Sequence, residues 1–465
     1  MESNILLFVL LSSLSLVVLC RLDFPLGGQV TIPIPSAYQP DFVGRAFVLD
    51  AAKEPPNFRV ALSVEAIGGR YSCSLVVLME DLKVWASDHY VKFFPEKKCV
   101  LGLMEDGDLR VMDWEGRIGW QTRTSRQGVK GLYLQKDTGN LILADAKNQT
   151  KWQTFDNPTD VLLWGQRLNV PACLTSSSTN SSASYSFEIQ KDKVVAYLKW
   201  REENYSYWEF EPRSERKIAF AKLGSRGLKL FDNSSRKIAQ ILAVGSGAAQ
   251  YLALGSEGNL VLYSFSNYKG NFKPSYKALR FCDLPLPCGV YGICSSTSTC
   301  RYLQLSSIQS NVTANLKQGI YNELCGVFGA EVVMVKLRGV VSVLRTPDTN
   351  VNVSQEECVE SCLEDCSCAA VLYSDGSGIN SERECSHYGL VAGAREVEGL
   401  SGLGYWVKLP KGTARVQGIS SSLLAKILII GGAIDGIALC VILGGLLYYF
   451  FIIRKRTINS STDNN

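Results

Sequence analysis

Lys151-Trp-Gln-Thr-Phe-Asp-Asn-Pro-Thr-Asp-Val-Leu-Leu163, continued by Trp164-Gly165-Gln166, is the stretch on which the fold of this chain turns. Trp152 and Phe155 offer two large anchors for a core. Asp156 to Asp160 reads as a turn pinned by Pro158, with short carboxylates able to bond their own backbone. Just upstream, Leu134-Gln-Lys-Asp-Thr-Gly-Asn-Leu-Ile-Leu143 sets a polar, glycine-bearing turn before an apolar strand. Two further turns share that plan, Glu105-Asp-Gly-Asp-Leu109 and Gly255-Ser-Glu-Gly-Asn-Leu-Val-Leu-Tyr263. In each, a Gly free to take positive φ leads into a strand. Short apolar runs such as Ala46–Leu49, Leu75–Leu78 and Leu109–Met112 continue the pattern, and helical periodicity is scarce. A β unit present in three copies predicts a mainly β body, sandwich- or prism-like.

The chain has 465 residues, more than one domain's worth. Hydrophobic residues make up 46% and charged residues 20%, which excludes a disordered chain. The net charge is +4, with no dense basic stripe outside one short tail, and this argues against a nucleic-acid binder. Only two histidines occur, His89 and His387, far apart in the sequence. They leave little for a His-based metal site or a Ser/His/Asp triad, so we expect no cofactor and no enzyme. Glu105, Asp106 and Asp108 cluster as paired carboxylates of a carbohydrate-active enzyme would. The repeated turn already explains them.

The two ends set the compartment. An apolar run from Ile5 to Leu19, before Cys20 and Arg21, predicts a signal peptide over 1–20. Ile427 to Ile453 is 27 residues with one charge, Asp435, and Arg454-Lys-Arg456 follows it. That length spans about 30 Å of hydrocarbon. The basic triplet places the tail, 454–465, in the cytoplasm and the N-terminus outside the plasma membrane. Asp435 costs roughly 2.5–3.5 kcal/mol in the bilayer. Flanked by Gly432 and Gly436, it marks a transmembrane contact with a receptor kinase partner or a second copy. The bland alternative is a protonated Asp bonded to its own helix.

Fifteen cysteines less Cys20 and Cys440 leave thirteen outside the cell, clustered as disulfide modules are. Six sequons are expected acceptors of N-glycans: Asn148, Asn180, Asn204, Asn233, Asn311 and Asn352. Ser354 and Glu357 form a capping box before a short helix that carries Cys358 and Cys362 on one face.

The opening stretch, with Leu134–Leu143, resembles the bulb-type (B-type, mannose-binding) lectin domain of plant S-domain receptors. The resemblance implies a β-prism of three four-stranded sheets over 21–171 and a second lectin-like, S-locus-type region over 172–280. The lectin sugar signature is Gln-x-Asp-x-Asn-x-Val-x-Tyr. One degenerate copy offers Gln135, Asp137 and Asn140, the last one residue late; another offers Asn259, Val261 and Tyr263. Neither copy is intact, and we read both as plain structural turns, with mannose binding the alternative. Cys282 to Cys300 resembles the EGF-like module of the same receptors (281–301), which implies Cys282–Cys294 and Cys288–Cys300. Spacing alone leaves three connectivities open. Ser354 to Tyr373 resembles the PAN/apple domain, an α+β unit over 302–409, and implies Cys358–Cys385, Cys362–Cys368 and Cys325–Cys366. Of the three cysteines that remain, Cys73–Cys99 is the expected pair, leaving Cys173 odd. A stalk (410–426) and the transmembrane helix (427–453) complete the order.

No Gly-rich loop, catalytic-loop or Asp-Phe-Gly motif follows the membrane, so the resemblance is to kinase-lacking, PAN-domain, lectin-like membrane proteins. The expected function is a cell-surface recognition glycoprotein that binds a glycan, such as one of mannose type, or a protein, and needs a partner for signalling. An adhesive tether between cell wall and membrane is the alternative.

Overall fold

The computed structural model describes residues 23–51, 55–177, 183–242, 249–266, 268–305, 332–346, 349–377, 382–399, 402–411 and 414–415. The expected signal peptide, the transmembrane contact at Gly432, Asp435 and Gly436, the tail, Asn180, Asn311 and Cys325 lie outside these residues. No helix among the described residues is long and apolar enough to cross a membrane.

Residues 23–153 form three four-stranded antiparallel sheets. One runs Asp23–Pro25, Val129–Leu134, Leu141–Asp145, Thr150–Gln153; the others are closed by Leu82–Ala86 and Ile118–Gln121. Each closing strand carries a tryptophan opposite an inward-facing aliphatic residue: Trp85 on Val77, Trp120 on Val111 and Trp152 on Leu143. A register shift follows each pair immediately. Such a bulge sharpens the strand's twist and turns the three indoles toward one another. Their centroids lie 5.6–5.8 Å apart, edge to face, the arrangement aromatic quadrupoles prefer.

The same plan is repeated in 161–277, again as three four-stranded sheets. The pairs before the bulges are now Ala196–Trp208, Leu230–Ala239 and Leu262–Tyr276. The chain is therefore a tandem of β-prisms. The second begins at Val161–Leu163, which pairs with Ala249–Leu254, and Arg167–Asn169, which pairs with Phe220–Gly224. The strands thus divide about ten residues before the boundary we expected at 171. Those two three-residue strands are too short to show in a sequence pattern which sheet they join.

After the second prism, Gly292–Cys294 and Cys300–Tyr302 pair in a hairpin, and Gly292–Cys294 also pairs in parallel with Ala394–Glu396. A five-stranded sheet and the helix Gln355–Glu364 make the α+β unit. Its capping box is formed: the Ser354 hydroxyl accepts from the Glu357 N–H, and the Glu357 carboxylate accepts from the Ser354 N–H.

The cores do not follow the modules. One apolar cluster fills the first prism and takes in Val161, Leu163 and Tyr251. Another runs without a break from the second prism (Leu198, Tyr205) through Tyr291 and Ile293 to Leu344, Tyr388 and Val407. Backbone bonds cross the same border: Ser206 and Arg345 exchange both N–H···O bonds, at 3.1 and 2.8 Å. The Gly389 N–H donates to the Tyr205 hydroxyl at 2.9 Å.

Candidate functional site

The three glycine turns superpose in their bonding. The residue at the asparagine position of the sugar signature is Asp108, Asn140 or Asn259, and in each its C=O accepts from the residue that opens the turn, Met104, Gln135 or Gly255. The extra residue before Asn140 is absorbed by Gly139 at φ +71°, where a Cβ would sit 2.3 Å from the Phe58 ring. Only glycine fits there.

All three side chains are buried, and each ties its turn to the segment leaving the sheet's last strand. Asp108 accepts from the Thr124 N–H at 3.0 Å and the Thr122 hydroxyl at 2.9 Å. Asn140 donates to Gln153 and accepts from the Thr154 hydroxyl and the Phe155 N–H. Asn259 exchanges both bonds with the Leu279 backbone. Asn140 and Asn259, offered as sugar contacts, are thus structural clamps, and Val261 is buried in the core. Gln135 and Asp137 remain exposed, and the Gln135 side chain accepts from Thr138.

Of the carboxylates suggested for catalysis, Asp106 and Asp108 are also committed, while Glu105 is exposed. One guanidinium, that of Arg110, bonds both Asp108 and Asp106 at 2.9 Å. Burial pushes the Asp106 carboxyl up, but the Asp108 N–H, Ser125 and Arg110 outweigh it and hold it below its ordinary range.

The Trp152–Gln166 stretch is the joint between the prisms. Trp152 and Phe155 pack on the first core. The Trp85 indole N–H donates to the Asn157 carbonyl at 2.8 Å, and Tyr90 donates to that of Pro158. Val161 and Leu163 then point into the first core and Leu162 into the second, the alternation a strand imposes. Gln166 closes the joint, accepting from the Leu163 N–H and donating to the Phe155 carbonyl.

Beside this joint lies a cleft of about 470 Å³, lined by His89, Lys92, Asp160, Tyr251, Gly255 and Tyr263 among others. Tyr251 and Tyr263 stack at 4.6 Å. The His89 Nε2 is 2.9 Å from the Thr175 hydroxyl. Burial pulls the His89 pKa below its ordinary value, opposed by Asp160. Burial likewise pushes the Tyr263 phenol up. Sequence reasoning singled out Tyr263 and missed His89, Lys92 and Asp160, because only the packing of the prisms brings them together.

The cysteines pair as Cys73–Cys99, Cys282–Cys294, Cys288–Cys300, Cys358–Cys385 and Cys362–Cys368. Cys366 is disulfide-bonded too, and Cys173 is a half-buried free thiol whose pKa burial raises. His387 lies close to the sulfurs of Cys358 and Cys385, but those are joined to each other. Asn148, Asn204, Asn233 and Asn352 are all exposed.

Two β-prisms leading into a cystine-stapled α+β unit define a protein of lectin-type build. Residues 83–185 match the D-mannose binding lectin family and 333–388 the PAN-like domain family. Over 62% of its length the chain is 24% identical to the Arabidopsis thaliana G-type lectin S-receptor-like serine/threonine-protein kinase At4g03230, of which it spans 36%. Over 59% it is 27% identical to the Arabidopsis PAN domain-containing protein At5g03700, of which it spans 58%. Among solved structures it is similar to a monomeric mannose-binding lectin from Gastrodia elata, at 30% identity over 20% of this chain and 82% of that one, with a TM-score of 0.15. The chain therefore carries B-type lectin and PAN-like domains and has the build of an S-domain receptor-like protein.

Proposed function

We propose that this protein is a single-pass plasma-membrane glycoprotein, N-terminus outside, that recognises a glycan or protein ligand and relies on a partner for signalling. The observation that carries the reading is the tandem of lectin prisms joined to a PAN-like domain. Its ligand cleft is the one between the prisms, where a stacked tyrosine pair beside His89, Lys92 and Asp160 offers an apolar face together with hydrogen-bonding groups of both senses. The 427–453 run, with the basic triplet after it, supports the topology. The contact at Gly432, Asp435 and Gly436 supports a receptor kinase or self-association as the partner.

The purified chain on glycan and protein arrays should bind at least one ligand, and Tyr263→Ala should weaken that binding about tenfold. Silence on both arrays would contradict ligand capture. Asp435→Leu should deplete co-precipitating membrane partners; an unchanged set would remove the contact. Deleting Arg454–Asn465 with full function retained would favour the adhesive tether.

A further inference from the structure

One sheet of the second prism carries cations on its outer face and no carboxylate. Its strands are Arg167–Asn169, Phe220–Gly224, Gly227–Phe231 and Lys237–Leu242, and none holds an aspartate or glutamate. Leu168, Ala221, Leu223, Leu228 and Leu230 belong to the core, so the residues alternating with them face outward. Arg167 stands opposite Lys222, and Lys222 opposite Lys229, in direct register. Lys237, on the fourth strand, stands opposite Phe231. Each strand thus adds one cation.

Like charges directly opposite one another destabilise a sheet, and strands about 5 Å apart leave them inside the screening length of physiological salt. The neighbouring sheet, over 173–210, removes that cost: Lys193 and Lys199 meet Glu209 and Glu188 at 3.2 and 3.7 Å. Here the partners are neutral or missing. Arg167 donates from Nε to the Asn169 side chain at 2.6 Å, and its guanidinium lies 3.5 Å over the Phe220 ring. Lys222, Lys229 and Lys237 have no hydrogen-bond or ion-pair partner among the described residues. The row crosses four strands, about 14 Å, so one small anion would leave most of it unmet. A chain with spaced negative charges would not. Phe231, half-buried and stacked on Phe220 at 4.9 Å, adds an apolar ring among the cations, a surface for the C–H face of a sugar.

We propose that this sheet face binds an acidic polysaccharide, its uronate carboxylates meeting Arg167, Lys222, Lys229 and Lys237. The inference rests on the glycan half of the function proposed above and adds a second, charged sugar surface outside the cleft between the prisms. The planar guanidinium of Arg167 suits a carboxylate. The proposed topology holds the sheet outside the cell, away from the anionic cytoplasmic leaflet that would otherwise compete for such a patch.

The test titrates the purified full chain, its N-glycans in place, with oligogalacturonate and oligoalginate by calorimetry. The methyl ester of oligogalacturonate, polyglutamate and dextran sulfate serve as comparisons. At least one uronate should bind, more weakly as salt is raised, and the uncharged ester should not. Lys222→Glu sets a carboxylate between Arg167 and Lys229. It should weaken uronate binding about tenfold and raise the denaturation midpoint, since it relieves the like-charge row. Tyr263→Ala, in the cleft between the prisms, should leave uronate binding unchanged. If Lys222→Glu fails to fold, Lys222→Gln with Lys229→Gln decides alone, with the same loss expected. Uronate binding unaltered by these variants would overturn the sheet face, as would its loss in Tyr263→Ala alone. No uronate binding would overturn the proposal, while a neutral glycan bound through Tyr263 would keep the cleft between the prisms standing. Equally tight polyglutamate or dextran sulfate would overturn it in favour of a general polyanion surface.

Discussion

The two prisms are one design carried out with different interiors. Both set a bulge after the same pair on the closing strand of each sheet. The first fills the three places with Trp85, Trp120 and Trp152, and its indoles close on one another. The second has Trp208, Ala239 and Tyr276 there, and its apolar surface continues through Tyr291 and Ile293 into the PAN-like domain. A strand plan therefore does not determine what a module is for. The first prism closes its indoles around its own axis and borrows only Val161, Leu163 and Tyr251 from the second, whereas the core of the second runs on into the PAN-like domain.

The largest test of this contrast replaces the indoles. Trp85 is buried and also holds the joint through Asn157, so Trp85→Ala should cost about 3–5 kcal/mol. Tyr276→Ala at the corresponding place should cost under about 2 kcal/mol, since that ring is half-buried. Chemical denaturation of both variants measures the gap, and equal losses would erase the distinction.

The turn clamps test what the prisms share. Asn259→Ala leaves the Leu279 N–H and carbonyl unmet and should cost about 1–3 kcal/mol. Gln135→Ala, on an exposed side chain, should stay within about 0.5 kcal/mol.

The smallest effect is one of pH at the interface. The folded chain holds the His89 pKa below its ordinary 6.5, so the unfolded chain binds the proton more readily. That contribution is complete above about pH 6.5 and is lost as the pH falls below it toward the folded value. The denaturation midpoint should therefore drop between pH 7.5 and 5.5, and His89→Gln should flatten part of the drop.

Much of this was legible in the residues. The polar turns before apolar strands announced the β repeat, the cysteine clusters marked the stapled modules, and Ser354 with Glu357 announced the helix start. What escaped depended on long-range pairing. Nothing near Ile293 indicates that it lies beside Ala394, a hundred residues on. The structural turn expected at both degenerate signatures is what Asn140 and Asn259 build, but a sequence motif carries type and spacing and not orientation, so their backbone partners stayed out of sight. Asn140 and Asn259 turned inward to meet backbone groups that only the folded sheets supply. The strongest motif, Trp152 to Gln166, was read as an anchor within one domain. Its real office, alternating Val161, Leu162 and Leu163 between two cores, needs both cores to be seen.

Scanning calorimetry of the purified chain tests the central claim, that the second prism and the PAN-like domain unfold as one unit apart from the first prism. Leu101→Ala, in the first core, should lower one transition. Leu198→Ala in the second prism and Val407→Ala in the PAN-like domain, each a fully buried member of the shared core, should both lower the other and leave the first unmoved. Separate transitions for Leu198→Ala and Val407→Ala would contradict it.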